Sequence, residues 1–344
     1  MHIPDGYLST ETALAAYAVA VPIWLRATTK VKKLLVGRTV PLVALFSAFS
    51  FIIMMFNVPL PGGTTGHAIG TTLAAIVLGP WAAILTVSIA LIIQALFFGD
   101  GGILAIGANV LNMAVIAGFV GYLLYRWLGG SAPINSPRRT IAAAIAGYIA
   151  INASAFTTAI ELGLQPLLFH DAAGRALYFP YGLDVSIPSM MIGHLTIAGF
   201  VEAAATGLVV AWLQRSEPRL LEAFGGAQGG ASRTVKWAWG AIIALMVLTP
   251  IGLLAQGTAW GEWSRDELGN LGLGYIPAGF DRFAGIWAAP LAGYDIPFLN
   301  NPTVAYIVSS LLGVALIMGV LFALGWVLER VLRRTETPGQ AKRV

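Results

Sequence analysis

No cysteine occurs among the 344 residues, so disulfides and thiolate metal sites are both excluded, and any bound metal must rely on nitrogen and oxygen donors. Charge is scarce as well: 10% of residues are Asp, Glu, Lys or Arg, against about 25% in an average soluble domain, while 57% are hydrophobic. That balance excludes an ordinary soluble domain and indicates a polytopic membrane protein. No Gly-x-x-x-x-Gly-Lys-Ser/Thr loop is present, and Gly99-Asp100-Gly101-Gly102 lacks a following lysine and reads as a turn, so the chain is not expected to bind ATP. Neither a His-Glu-x-x-His run nor a Gly-x-Ser-x-Gly elbow occurs, which leaves an enzyme reading without a catalytic group. The net charge of +4 comes from basic residues gathered at segment ends, as membrane orientation demands, and gives no reason to expect nucleic acid. Histidine is limited to His2, His67, His170 and His194.

What the chain does contain is apolar runs. Stretches long enough to cross ~30 Å of hydrocarbon as helices fall at 8–26, 39–57, 81–99, 103–128, 140–164, 186–214, 235–256 and 303–328, with a shorter one at 67–79 ending in Gly79-Pro80. Counting 67–79 as a separate helix predicts an all-α protein of about nine crossings, the N-terminus outside and the C-terminus in the cytoplasm. Of the 20 basic residues only Arg175, Arg265 and Arg282 then fall on the outer side, whereas merging 67–99 into one crossing reverses the bias. Acidic residues run the other way: Asp5, Glu11, Asp100, Glu161, Asp171, Asp184, Glu262, Asp266, Glu267, Asp281 and Asp295 fall on or near the outer side, an entrance that concentrates cations. A polar, glycine-rich linker at 216–234 divides a seven-helix core, 1–215, from a two-helix module, 235–334, with an outer loop at 257–302; residues 335–344 read as a disordered tail.

The beginning of the chain, Met1-His2-Ile3-Pro4-Asp5-Gly6-Tyr7-Leu8, lacks the basic leader of a cleavable signal peptide, and the bulky His2 is expected to preserve Met1. A terminal amine with a pKa near ~8, the His2 amide nitrogen and His2 Nδ1 can close adjacent five- and six-membered chelate rings on one divalent ion. Ni²⁺ and Cu²⁺ displace an amide proton best and accept planar nitrogen donors, Co²⁺ less readily. Pro4 and Gly6 can turn the terminus inward. The fourth donor should be a neutral imidazole, and His67, in the Gly/Pro-rich run 57–67, is the best candidate; the charge-derived topology places it on the same side as Met1.

MHIPDGYLS at the start and PLPGGTTGHAIG at 59–70 resemble the CbiM/NikM family, the substrate-binding membrane component of energy-coupling-factor cobalt and nickel transporters, and the hydrophobic profile extends the resemblance over roughly residues 1–215. The resemblance implies Met1, His2 and His67 as metal ligands for transported Co²⁺ or Ni²⁺. It also implies a multi-pass location in a prokaryotic cell membrane and as partners a transmembrane coupling subunit and cytoplasmic ATPases. The last two helices resemble the small accessory subunit of these transporters, fused to the core; the loop runs 261–268 and 274–279 resemble its acidic loop only distantly. Ala44 and Ala48, a small-xxx-small pair, correspond to alanine spacing that serves docking to the coupling subunit in that family.

The remaining polar residues read as supporting groups. Thr64 and Thr65 are placed to orient the second nitrogen of His67. Asn109 and Asn112, with Gln94, Asn57 and Asn152, read mostly as interhelical hydrogen-bonding amides, one or two of which orient the terminal loop. His194 and Glu202 share a face two turns apart and read as a structural polar pair, with a metal relay as the functional alternative. His170-Asp171 reads as a solvated surface pair. The function expected is capture of Co²⁺ or Ni²⁺ for an ATP-driven importer. The alternatives are a stand-alone divalent cation transporter or channel, which calls for more mid-membrane ionisable residues, and an intramembrane metalloenzyme, which calls for an open metal position and a base.

Overall fold

A computed structural model describes residues 1–32, 40–222 and 233–335. Most of the expected linker, the basic residues Lys33 and Arg38, and the expected polar tail beyond Thr335 lie outside them.

The apolar runs fold as helices because lipid leaves each backbone N–H and C=O to be satisfied within its own segment. Helix α1 (Thr10–Val31) starts at Ser9, whose hydroxyl accepts a hydrogen bond from the Thr12 amide. It is followed by α2 (Val40–Met54), a hairpin of β1 (Val58–Leu60) and β2 (Thr64–Gly66) with Pro59 opposite Thr65, and α3 (Thr71–Leu78). Then come α4 (Pro80–Phe98), α5 (Ile106–Gly129), α6 (Pro137–Leu168), α7 (Leu183–Ser216), α8 (Lys236–Leu254) and α9 (Pro302–Thr335). The described residues thus contain 6 helices, α4 to α9, long and apolar enough to cross a membrane, and α2 is a shorter apolar one. The outward surface of these helices and of α1 carries large apolar side chains, among them Leu25, Leu123, Trp127, Leu208 and Trp326, as a lipid-facing surface does.

Residues 67–79 depart from the expectation of a full crossing. Helix α3 has only 8 residues, about 12 Å at the helical rise, because the preceding segment is used in the hairpin and in an extended stretch through His67. The turn at Gly79-Pro80 is present: Gly79 has φ +86°, and Pro80 opens α4 where its missing N–H costs nothing. The hairpin is also the one departure from all-helical architecture among the described residues, apart from an isolated bridge between His170 and Ala176.

Helix α2 lies at the centre, flanked by α4, α8 and α9. Ser47 donates to the Thr86 carbonyl of α4 at 2.7 Å, and a Cβ at Gly313 of α9 would lie 2.1 Å from the buried Phe51 ring. Ala44 and Ala48 are fully buried within this cluster. The expectation that they dock a second protein is therefore corrected in this conformation, since the chain's own helices cover α2.

At one end of the bundle, residues 1–9 fold inward and the segment 255–301 packs over them. An aromatic cluster joins the two: Tyr7 lies 5.0 Å from Phe280 and 5.6 Å from Phe179, which lies 5.3 Å from Trp260. The Tyr7 hydroxyl donates to the Trp263 carbonyl at 2.8 Å. The two-helix module is thereby attached to the core at both levels, through α9 on α2 and through this loop on the terminus. Replacing Gly313 by Leu is expected to destabilise the chain by about 1–3 kcal/mol through overpacking against Phe51, read as a lowered unfolding midpoint in detergent, whereas Gly319→Leu, with open space at its Cβ, leaves the midpoint in place.

Candidate metal centre

The terminal segment is held by complementary polar groups. Asn109 of α5 pairs with Ile3 as a strand would, its Oδ1 accepting from the Ile3 amide at 2.8 Å and its Nδ2 donating to the Ile3 carbonyl at 3.1 Å. The Gly102 amide donates to the same carbonyl at 2.9 Å. The Asp5 carboxylate accepts from the Ile103 and Leu104 amides at 2.9 and 2.7 Å, and Ser9 N donates to Gln165 Oε1 at 2.9 Å. Gly102 permits this approach, since a Cβ there would lie 2.3 Å from Asp5 N. Gly6, at φ +90°, makes the turn against the Phe280 backbone. Met1 and His2 consequently sit buried instead of trailing in solvent.

Two imidazoles meet there. The His2 and His67 ring centroids are 5.1 Å apart with planes tilted by 39°. His67 Nδ1 is 3.0 Å from the carbonyl of Ala68. A carbonyl only accepts, so that nitrogen carries the hydrogen and Nε2 keeps its lone pair. The segment after His67 is fixed by Glu202 of α7, whose Oε2 accepts from the Ile69 and Gly70 amides at 2.7 and 3.0 Å.

Two carboxylates complete the cluster. His2 Nδ1 lies 3.0 Å from Asp100 Oδ1, and the Met1 nitrogen lies 2.7 Å from Glu262 Oε1. Asp100 Oδ2 accepts from the Tyr294 hydroxyl at 2.6 Å and from Gln94 Nε2 at 3.2 Å. Burial pushes the Asp100 carboxyl up, but the His2 and His67 imidazoles and the Tyr294 hydroxyl outweigh it and hold the group below the usual carboxylate range. Tyr294 has φ +61°, a strained conformation for a residue with a Cβ. It is kept there by the Ser309 hydroxyl on its carbonyl at 2.8 Å and by ring stacking on Phe98 at 4.8 Å.

The structure thus brings His2, His67 and the Met1 nitrogen to one end of the bundle and distributes the other expected residues differently. Asn109 orients the terminus. Asn112 turns to Glu161 of α6, donating at 2.6 Å, and Asn152 bonds the Tyr148 carbonyl of its own helix. Thr64 and Thr65 do not orient His67, as its second nitrogen was expected to require; their hydroxyls reach the Thr258 and Gly257 carbonyls of the module loop, and the Ala68 carbonyl takes the orienting role. His194 and Glu202 do not act on each other, because His194 Nδ1 lies 2.7 Å from the Met190 carbonyl while Glu202 holds the His67 segment. His170 is an exposed residue beside an Asp171–Arg175 pair. Asp100, Glu262 and Tyr294 were missed as site residues: two of them stood among the outer acidic residues, but Asp100 sat in a run read as a turn, and nothing local marked Tyr294.

A buried amine and two buried imidazoles beside two half-buried carboxylates, closed off by a second module over a multi-helix membrane core, define a polytopic membrane protein of two joined parts with a metal-type donor set. Residues 2–220 match the family described as the cobalt uptake substrate-specific transmembrane region, CbiM, and residues 234–330 match the PDGLE domain. The chain belongs to the CbiM family. It is 50% identical over 332 residues, 92% of this chain and 95% of the other, to the fused nickel transport protein NikMN of Rhodobacter capsulatus. It is 33% identical over 233 residues, covering 67% and 64%, to the cobalt transport protein CbiM of Geobacter sulfurreducens. A crystal structure of a truncated transition metal transporter is 58% identical, with a TM-score of 0.59, over 63% of this chain and 99% of that one.

The Glu202 contact makes a direct prediction. Glu202→Ala orphans two buried amides at a cost of about 1–3 kcal/mol each and frees the His67 segment, so both the unfolding midpoint and metal retention in purified protein should fall. Glu202→Gln retains an acceptor oxygen and should lose less of both.

Proposed function

We propose that this chain captures Ni²⁺ or Co²⁺ at the extracytoplasmic face of a prokaryotic cell membrane, as the substrate-specific component of an ATP-driven importer. The ion is cargo. Its ligands are the Met1 amine, the His2 amide nitrogen and Nδ1, and His67 Nε2, a nearly planar set of four nitrogens. The observation that carries this reading is the 5.1 Å separation of the His2 and His67 rings beside the buried Met1 nitrogen. Two imidazoles in adjacent positions of one planar ion, with bonds of about 2.0–2.1 Å, place their centroids about 4.5 Å apart. A small rotation of His2 away from Asp100 therefore completes the set. Binding releases the amine and amide protons to solvent.

Nine passes of the chain, the third made jointly by extended chain and the short α3 instead of a full helical crossing, with the N-terminus outside and the C-terminus inside, agree with the basic residues assigned to the opposite side and with the collection of Asp5, Asp100, Glu262 and Glu267 at this end. Uptake then requires a transmembrane coupling subunit and cytoplasmic ATPases, since this chain has no phosphate-binding loop. A stand-alone transporter is less well supported, because the intramembrane carboxylates Glu161 and Glu202 are committed to Asn112 and to backbone amides. Both Ni²⁺ and Co²⁺ accept this donor set.

The test blocks one donor at a time. Extending the N-terminus by a few residues, or replacing His67 by Ala, should each lower nickel and cobalt affinity by at least about 100-fold, measured as metal content of the full-length protein after dialysis. Unchanged content in both variants would falsify the four-nitrogen site.

A further inference from the structure

Three donors from distant parts of the chain converge beside the nitrogen set. Ligand atoms of His2, Asp100 and Glu262 all lie within 4.8 Å of one another. The His2 ring is buried and, apart from the 3.0 Å approach of Nδ1 to Asp100, neither ring nitrogen has a hydrogen-bond partner among the described residues. Asp100 and Glu262 also form part of the wall of two separate cavities. One, of about 530 Å³, is bounded by Asp5 and Glu267; the other, of about 320 Å³, is bounded by His67 and Tyr294. Among the described residues, the one cation lining the first, Arg265, is engaged by Asp281 at 2.7 Å. The two carboxylates therefore stand between an acidic cavity and the cavity that contains His67.

We propose that Asp100, Glu262 and His2 Nδ1 form a transit subsite for a hydrated divalent ion, distinct from the four-nitrogen cage and resting on the reading of that cage given above. Two carboxylates neutralise the charge of the ion, and together with water they suit the octahedral oxygen-rich coordination that Co²⁺ and Ni²⁺ bring from solution. The cage needs a deprotonated amide, so an ion held a few ångströms away is presented to the amide repeatedly instead of once per encounter. Transfer breaks the metal–oxygen bonds to Asp100, Glu262 and the remaining waters, which return to solvent, and forms three metal–nitrogen bonds, to Met1, the His2 amide and His67, so that the six-coordinate ion becomes four-coordinate. The two displaced protons leave to water, and the oxidation state of the ion is unchanged. His2 Nδ1 belongs to both sites, so the ion pivots about one retained ligand. Glu262 meanwhile gives up its contact with the Met1 nitrogen, which frees that donor as the ion arrives. The Tyr294 hydroxyl occupies Asp100 Oδ2 and leaves Oδ1 toward His2.

The experiment follows loading of the full-length protein in detergent with Co²⁺ alone. Glu262→Gln should load about tenfold more slowly or worse, the loss expected when a focusing carboxylate is removed, and Glu262→Asp, which keeps the charge, should recover most of the rate. The N-terminally extended protein, lacking the cage amine, should still bind Co²⁺ weakly with the faint visible absorption of an octahedral ion, and Glu262→Gln in that background should abolish it. Wild-type loading rates in Glu262→Gln, or no residual binding in the extended protein, overturn the transit subsite. So does a loss of bound ion in Glu262→Gln that persists at long times, which makes Glu262 a permanent ligand. Failure of the underlying cage is separately visible, since the extended protein and His67→Ala would then retain ion as tightly as the wild type.

Discussion

The structure depends on burying the first residues of a chain in a membrane protein's interior without leaving their peptide groups unpaired. An orphaned amide or carbonyl there costs several times what an ordinary hydrogen bond contributes. Asn109 answers the requirement at Ile3 with a side chain that serves as donor and acceptor together, and Asp5 reverses the logic by reaching out to the Ile103 and Leu104 amides. With those bonds made, the terminus becomes as fixed as a helix, and whatever Met1 and His2 carry is delivered to one place.

That place is made by irregular backbone. The π-helical turn 94–98 ends α4 just before Asp100, and the turns 111–116 and 194–198 interrupt α5 and α7 close to Asn109 and at His194. Such turns often accompany functional sites, because each re-aims the residues that follow it. The hairpin and the short α3 do the same for His67, which lies in non-helical chain anchored by a carboxylate from a third helix. Regular helices supply the frame, and the departures from regularity supply the cluster.

Much of the frame was legible in the sequence. The long apolar runs and the Gly79-Pro80 turn rest on local composition, and so does the pairing of a histidine at position two with a glycine-rich histidine segment. Asn109 was read together with Asn112 and three other amides, mostly as interhelical groups with one or two orienting the terminal loop, and only the Ile3 contacts single it out for that second role. What stayed hidden depends on chain separation. Glu262 and Tyr294 lie 261 and 194 residues from the groups they meet, and no periodicity connects such positions. Thr64 and Thr65 were misassigned for the same reason, their partners being carbonyls of the second module. Ala44 and Ala48 were given to an outside partner because spacing reports that a helix is approached closely, not by which helix. The length of α3 was overestimated because an apolar run does not distinguish a helix from extended chain folded into the protein.

The contact between Met1 and Glu262 also has a temporal side. Residue 1 meets a partner that leaves the ribosome 261 residues after it. At about 5–20 residues per second, its nitrogen waits on the order of ten to fifty seconds for that partner. The end of the chain that is synthesised first is thus among the last to reach its final surroundings, and joining both parts in one polypeptide ensures that every nascent terminus eventually meets one carboxylate of its own.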